Sequence, residues 1–190
     1  YKRQQAVAAM VFSNLERAED LSRDAMLEGI DWRWETFPEF LDVIDELPKG
    51  INYAGYIGHS ALRTYVMGER AFSDAASEDD VRNMQGLVKQ AVQAGAIGFS
   101  TSRTFNHLTA DDRPVASRIA EWDEVRAIVN AVGETGKGLF EIAGEAPGRD
   151  PERIAEYHGR LRDLAVDSGV PQTWGMFSVR AAPDLWRPYF

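Results

Sequence analysis

Apolar positions along this chain recur at helical spacing in several stretches, interrupted by short apolar runs that end in polar loops. The clearest helix follows Ser77, where Val81, Met84, Leu87, Val88, Ala91 and Val92 fall on one face. Ser77 with Asp80 three residues later predicts a capping box, and Gly95 a stop. The same pattern predicts a helix over 123–134, with Val125, Ile128, Val129 and Val132 inward. Another starts at Asp150-Pro151, turns Ile154, Tyr157, Leu161 and Leu164 to a core, and closes at Gly169. Earlier in the chain, 2–18 is helix-compatible and 20–28 reads as a short helix stopped by Gly29. A third early helix starts at Thr36 or Phe37 before Pro38 and carries Phe40, Leu41, Ile44 and Leu47. A helix-like run, 61–67, ends at Gly68. Short runs at 50–60, 96–100, 138–144 and 170–177 predict strands. The order is strand, helix, strand, helix, strand, helix, strand after a helical lead-in, the signature of a parallel α/β fold. Trp32, Trp34 and Phe37 read first as core packing.

In such folds ligands gather where strands end and the following loops begin. The run Gly98-Phe-Ser-Thr-Ser-Arg-Thr-Phe-Asn-His107 puts Ser100, Thr101, Ser102, Arg103 and His107 at such a place. Arg103 there meets a substrate carboxylate with its fork of donors, or pairs with an acid such as Asp111 or Asp112. Ser100 and Ser102 contact substrate or bond the loop backbone. His59 follows Gly58 at a strand end, where an imidazole orients or polarises a carbonyl, or else ties down a neighbouring loop. His158 lies mid-helix and reads as surface or packing. The three histidines form no local pair at metal-ligand spacing, and no Gly-x-Ser-x-Gly elbow supports a serine hydrolase.

Composition narrows the partners. The 190 residues support one sizeable core, so 1–190 reads as a single segment without an internal domain boundary. A formal charge of −9 argues against nucleic acid as a partner. No apolar run approaches the roughly 18 residues of a membrane span. The absence of cysteine removes thiolate chemistry and fits a reducing, cytoplasmic setting. Tyr1 at the start and the aromatic run at 186–190 look like cuts through a longer protein.

Three stretches resemble the N-acyl-D-amino-acid deacylases, D-aminoacylase relatives of the amidohydrolase superfamily. They are Asp31-Trp-Arg-Trp-Glu-Thr-Phe-Pro-Glu-Phe-Leu41, Gly58-His-Ser-Ala-Leu-Arg63 with Tyr65-Val-Met-Gly-Glu-Arg70, and Gly95-Ala-Ile-Gly-Phe-Ser-Thr-Ser102. The resemblance covers about residues 15–140 and implies part of a (β/α)8 barrel, strands three to six, of a zinc-dependent hydrolase of N-acyl-D-amino acids. Such a barrel needs about 250 residues, so the segment alone is expected to be inactive. The family's His-x-His would lie before Tyr1 and its late aspartate after Phe190. The family also places metal-binding histidines at the ends of strands five and six. Here those ends read Glu141-Ile-Ala-Gly144 and Thr173-Trp-Gly-Met-Phe177 instead, which leaves the metal ligands unassigned and Glu141 the one well-placed carboxylate. On this resemblance His59 is the candidate catalytic group, and Ser100, Ser102, Arg103 and His107 the candidate substrate contacts. Unpaired sheet edges predict a homo-oligomer. The competing reading is a non-catalytic α/β domain that binds a partner or a small acid.

Overall fold

Four parallel strands form one sheet in chain order, β1 (Tyr56–Gly58), β2 (Gly98–Ser102), β3 (Leu139–Ala143) and β4 (Gln172–Trp174). The computed structural model describes residues 2–17, 20–148, 150–175, 184 and 187. Residue 18 of the first expected helix, 176–177 of the last expected strand and nearly all of the aromatic ending lie outside the described residues.

The helices follow the hydrophobic pattern. They are α1 (Lys2–Ser13), α2 (Arg23–Gly29), α3 (Phe37–Glu46), α4 (His59–Met67), α5 (Glu78–Ala94), α6 (Ala116–Ile119), α7 (Trp122–Gly133) and α8 (Pro151–Ser168). A 3-10 turn, Gly68–Phe72, follows α4. The expected capping box of Ser77 and Asp80 starts α5, and a second one, of Thr36 and Glu39, starts α3. Asp150 caps α8, and Gly169 ends it in the left-handed conformation that glycine adopts without strain.

Alternation along the strands sorts the sheet into two faces. Phe99, Phe140 and Ile142 are buried on one face against Val88 and Val92 of α5, Ile128 and Val132 of α7, and Leu161 of α8. The other face carries Gly58, Ser100, Ser102, Glu141 and Thr173, all half-buried or exposed. Register aligns Gly58, Ser100, Glu141 and Thr173 across the four strands. A sheet with its apolar side under helices and small polar residues on its other side is what places the site.

Two expected strands shift their bounds. The first strand is three residues, not 50–60, because Ile51 is 82% exposed and gains nothing from a ladder. His59 therefore opens α4 rather than closing a strand. The second strand ends at Ser102, two residues later than expected. Trp32 and Phe37 pack half-buried against core clusters, as expected, in a ladder of aromatic rings. Phe12 meets Trp32 edge-on at 5.1 Å, Trp32 stacks on Trp34 at 5.3 Å, and Trp34 meets Phe40 at 5.3 Å.

Candidate functional site

A cavity of about 420 Å³ opens at the carboxyl ends of β1, β2 and β3. Its polar lining includes Asn14, His59, Ser100, Ser102, His107 and Glu141, and Val11, Leu15 and Val115 add apolar groups. The Ser102 hydroxyl and His107 Nδ1 lie 2.5 Å apart, and the Ser102 carbonyl accepts from Ser117 at 2.8 Å. Ser100, Ser102 and His107 thus all reach the cavity. A larger cleft of about 570 Å³ lies beside Lys49, Ile51 and Ala94 at the amino end of the strands. Ligands of parallel α/β folds gather at the other end.

Glu141 is exposed at the cavity, and its carboxylate acts on the Tyr56 hydroxyl. Burial pushes the Tyr56 pKa up, and the neighbouring carboxylate adds to the rise. Gly98 stands between Tyr56 and Leu139 in the register, so no side chain on β2 blocks that reach.

His59 is among the residues that line the cavity. Its side chain is fully buried, and both ring nitrogens are occupied, Nδ1 by Thr101 Oγ1 at 2.8 Å and Nε2 by Glu124 Oε1 at 2.8 Å. Burial lowers the His59 pKa, the Glu124 carboxylate opposes that, and Arg63 and Arg103 add to the lowering. The ring is therefore neutral at pH 7. Because Nε2 faces a carboxylate, it carries the proton, and Nδ1 accepts from the Thr101 hydroxyl.

Arg63 and Glu124 complete this buried group, and sequence reasoning missed both as site partners. Arg63 Nε donates to the two Glu124 oxygens at 2.9 and 3.2 Å. Its other nitrogens donate to the carbonyls of Ala71, Ala116 and Asp74, the last at 2.6 Å. Burial works against the Glu124 charge, but the hydrogen bond from His59 and the charge and hydrogen bonds of Arg63 hold its pKa below the usual carboxylate value. With His59 neutral, the Arg63 guanidinium is the charge that keeps Glu124 ionised. The available signal was the spacing His59–Arg63, one helical turn on a face that also carries Leu62 and Met67.

Acid should therefore weaken the fold. His59 titrates below its ordinary value of 6.5 when folded, so the unfolded chain takes up the proton first. Its contribution is complete above pH 6.5 and is lost as pH falls below that value. Glu124 adds a further loss below 4.5. Denaturation midpoints measured from pH 7.5 downward should begin to fall near 6.5, by at most about 1.4 kcal/mol per pH unit for one proton. A His59→Gln chain should lack that first descent. An equal descent in both would place the titrating group elsewhere.

Arg103 lies in the loop directly after β2. It does not line the cavity; its Nε donates to Glu145 Oε1 at 2.8 Å and its Nη1 to the Ala120 carbonyl at 2.7 Å. Arg160 holds the other Glu145 oxygen at 2.7 Å and lies over the Trp122 ring. Its acidic partner is Glu145, whereas Asp111 pairs with Arg113 and Asp112 with Arg17. Arg103→Ala should thus cost stability, about 1.5 kcal/mol at the low end for a charged hydrogen bond, rather than ligand affinity. Unfolding of the variant in urea checks it, and an unchanged midpoint would return Arg103 to the candidate contacts. His158 is half-buried on α8 beside the Tyr157 ring.

Among the described residues, no group of three or more His, Asp or Glu side chains is arranged to hold a metal ion. With both His59 nitrogens engaged, Glu141 and His107 are the donors left at the cavity, and they do not make a metal site by themselves. No described helix is long and apolar enough to cross a membrane.

No protein-family model matches the chain. An uncharacterised protein of Mycobacterium tuberculosis is 33% identical over 141 residues, covering 70% of this chain and 23% of that protein. D-aminoacylase of Alcaligenes xylosoxydans xylosoxydans is 37% identical over 78 residues, 41% of this chain and 16% of the enzyme. The N-acyl-D-aspartate deacylase of the same organism is 36% identical over 70 residues, 37% of this chain and 14% of the enzyme. Solved structures of D-aminoacylase, one described with a binuclear metal centre, superpose with a TM-score of 0.58 at 26% identity. They cover 77% of this chain and 28% of theirs. The chain thus spans less than a quarter of the length of the curated relatives it matches. On these likenesses, over a parallel sheet that ends in a polar cavity, the chain is similar to part of the D-aminoacylase-like amidohydrolases.

Proposed function

We propose that residues 1–190 form strands three to six, with their helices, of a (β/α)8 catalytic barrel, and that the longer protein hydrolyses the amide bond of N-acyl-D-amino acids. The observation that carries this reading is the one-sided sheet. Four parallel strands turn their apolar residues to helices and their small polar residues to the other face, as barrel strands turn residues to a shared interior. The likeness to D-aminoacylase and N-acyl-D-aspartate deacylase supplies the reaction class. Metal dependence comes with that likeness, and zinc is the metal we assign to the longer protein. Its ligands then come from outside the described residues, since these do not hold a metal by themselves.

A second reading, a domain that binds rather than catalyses, is favoured by one observation: the strongest histidine candidate has no nitrogen to offer. One assay separates them. A chain extended to the length of the relatives, supplied with zinc, should release amino acid from N-acetyl-D-amino acids, and the 190-residue chain should not. No turnover in the extended chain across added metals would leave the binding reading. On the barrel reading β1 and β4 are open edges, so the 190-residue chain should also self-associate. A monodisperse monomer in sedimentation, or full turnover by the short chain, would count against that reading.

A further inference from the structure

We propose that a second cavity, on the helix-covered face of the sheet, binds a small uncharged aromatic molecule that carries a hydrogen-bond acceptor, the class of phenol. The cavity has a volume of about 200 Å³ and lies among α3, α4, α5 and β1. Ile57 on its wall stands in register with Phe99 and Phe140. The cavity is therefore on the opposite side of the sheet from Ser100 and Glu141, although Val11 and Ala61 border both.

Rings dominate its wall. Trp32, Trp34, Phe37 and Phe40 line it together with Leu62 and Leu87. The stack of Trp32 on Trp34, and the contact of Phe37 with Phe40 at 5.5 Å, hold these rings in place before a ligand arrives. Little side-chain freedom is then lost on binding. A cavity of about 150 Å³ lined by aliphatic and aromatic groups takes benzene. The volume here leaves room for one ring with a small substituent. A charged ligand would have to leave water for a wall of rings, which sets the class as uncharged.

One polar atom narrows the class further. The groups at the start of α3 that border the cavity are already engaged, since Thr36 and Glu39 bond each other there. Trp32 Nε1 is buried and makes no hydrogen bond to a described residue. A buried donor without an acceptor is a loss relative to water, and an oxygen on the ring substituent removes that loss. A ring with such an oxygen is thus favoured over the bare ring.

The test is a proton–nitrogen NMR titration of the 190-residue chain at pH 7 with phenol, toluene and benzoate, read at the tryptophan indole N–H signals. Phenol should saturate with a Kd of about 1 mM or below. It should move the Trp32 N–H signal downfield and leave those of Trp122 and Trp174 in place. Toluene, a similar ring without an acceptor, should bind at least about threefold weaker, a difference of the size one hydrogen bond makes. Benzoate should bind at least about tenfold weaker than phenol. Trp32→Phe keeps a ring and removes the donor, so it should erase the preference for phenol over toluene. No saturation by phenol, or shifts confined to Trp122 and Trp174, would overturn the inference. So would toluene or benzoate binding as tightly as phenol, or a preference for phenol that survives in Trp32→Phe. If Trp32→Phe does not fold, the comparison of the three probes on the parent chain decides. The hydrolase reading stands or falls separately, on the assay of the extended chain.

Discussion

Glu124→Gln should lower the unfolding free energy by about 3–5 kcal/mol, the cost of leaving one member of a buried ion pair without its partner. Glu124 and Arg63 have side-chain exposures of 4% and 0%, so water cannot replace the lost charge. Glutamine keeps the shape and an acceptor for His59 but leaves the guanidinium unneutralised. Arg63→Met should cost a similar amount, because it frees the carbonyls of Ala71, Asp74 and Ala116 as well as the Glu124 charge. The double variant should cost clearly less than the two together, since residues in one network do not add. Urea denaturation of the four chains measures this. Strict additivity, or a single-variant loss under about 1 kcal/mol, a typical surface effect, would show that the pair is not coupled in the folded protein.

That network shows where reading the sequence succeeds and where it stops. Helices were legible because their signals are local. Ser77 and Asp80 are three residues apart, and Val88 and Val92 four, so period and caps appear in one window. The strands were legible as short apolar runs, but their bounds were not. Nothing in 50–55 announces that Ile51 stays in solvent, because strand pairing depends on a neighbour 40 or more residues away, such as Gly98 opposite Tyr56.

The cavity was half legible for the same reason. Ser100, Ser102 and His107 sit within eight residues of each other, and the strand-end rule finds all three. Arg103 shares that stretch, yet its side chain turns to Glu145, 42 residues on. His59 and Glu124 are 65 residues apart, and Arg63 and Glu124 61. A histidine after a glycine at a strand end carries the same sequence signal whether its ring faces a substrate or a buried carboxylate. Only the tertiary contact distinguishes the two.

Gly98→Ala should unfold most of the protein. A Cβ at Gly98 would lie 1.8 Å from the Leu139 carbonyl oxygen and 2.7 Å from the Leu139 carbonyl carbon and nitrogen. These are backbone atoms of the paired strand, and no rotamer change relieves the clash. β2 and β3 must part, and they are the two central strands of the sheet, with Phe99 and Phe140 stacked beneath them. A loss of more than about 4 kcal/mol is expected, in the class of severe backbone strain. That is a large fraction of the about 5–15 kcal/mol that holds a domain folded. The same change should also remove the path by which Tyr56 reaches Glu141. Gly58 is the control, since it lies on the neighbouring strand and an added Cβ there meets nothing within 4 Å. Its φ of −84° suits any residue, so Gly58→Ala should change stability by about 1 kcal/mol or less. Far-ultraviolet circular dichroism and urea midpoints of the two variants decide the matter. Equal midpoints for Gly98→Ala and the parent would mean that β2 and β3 do not pair in this register.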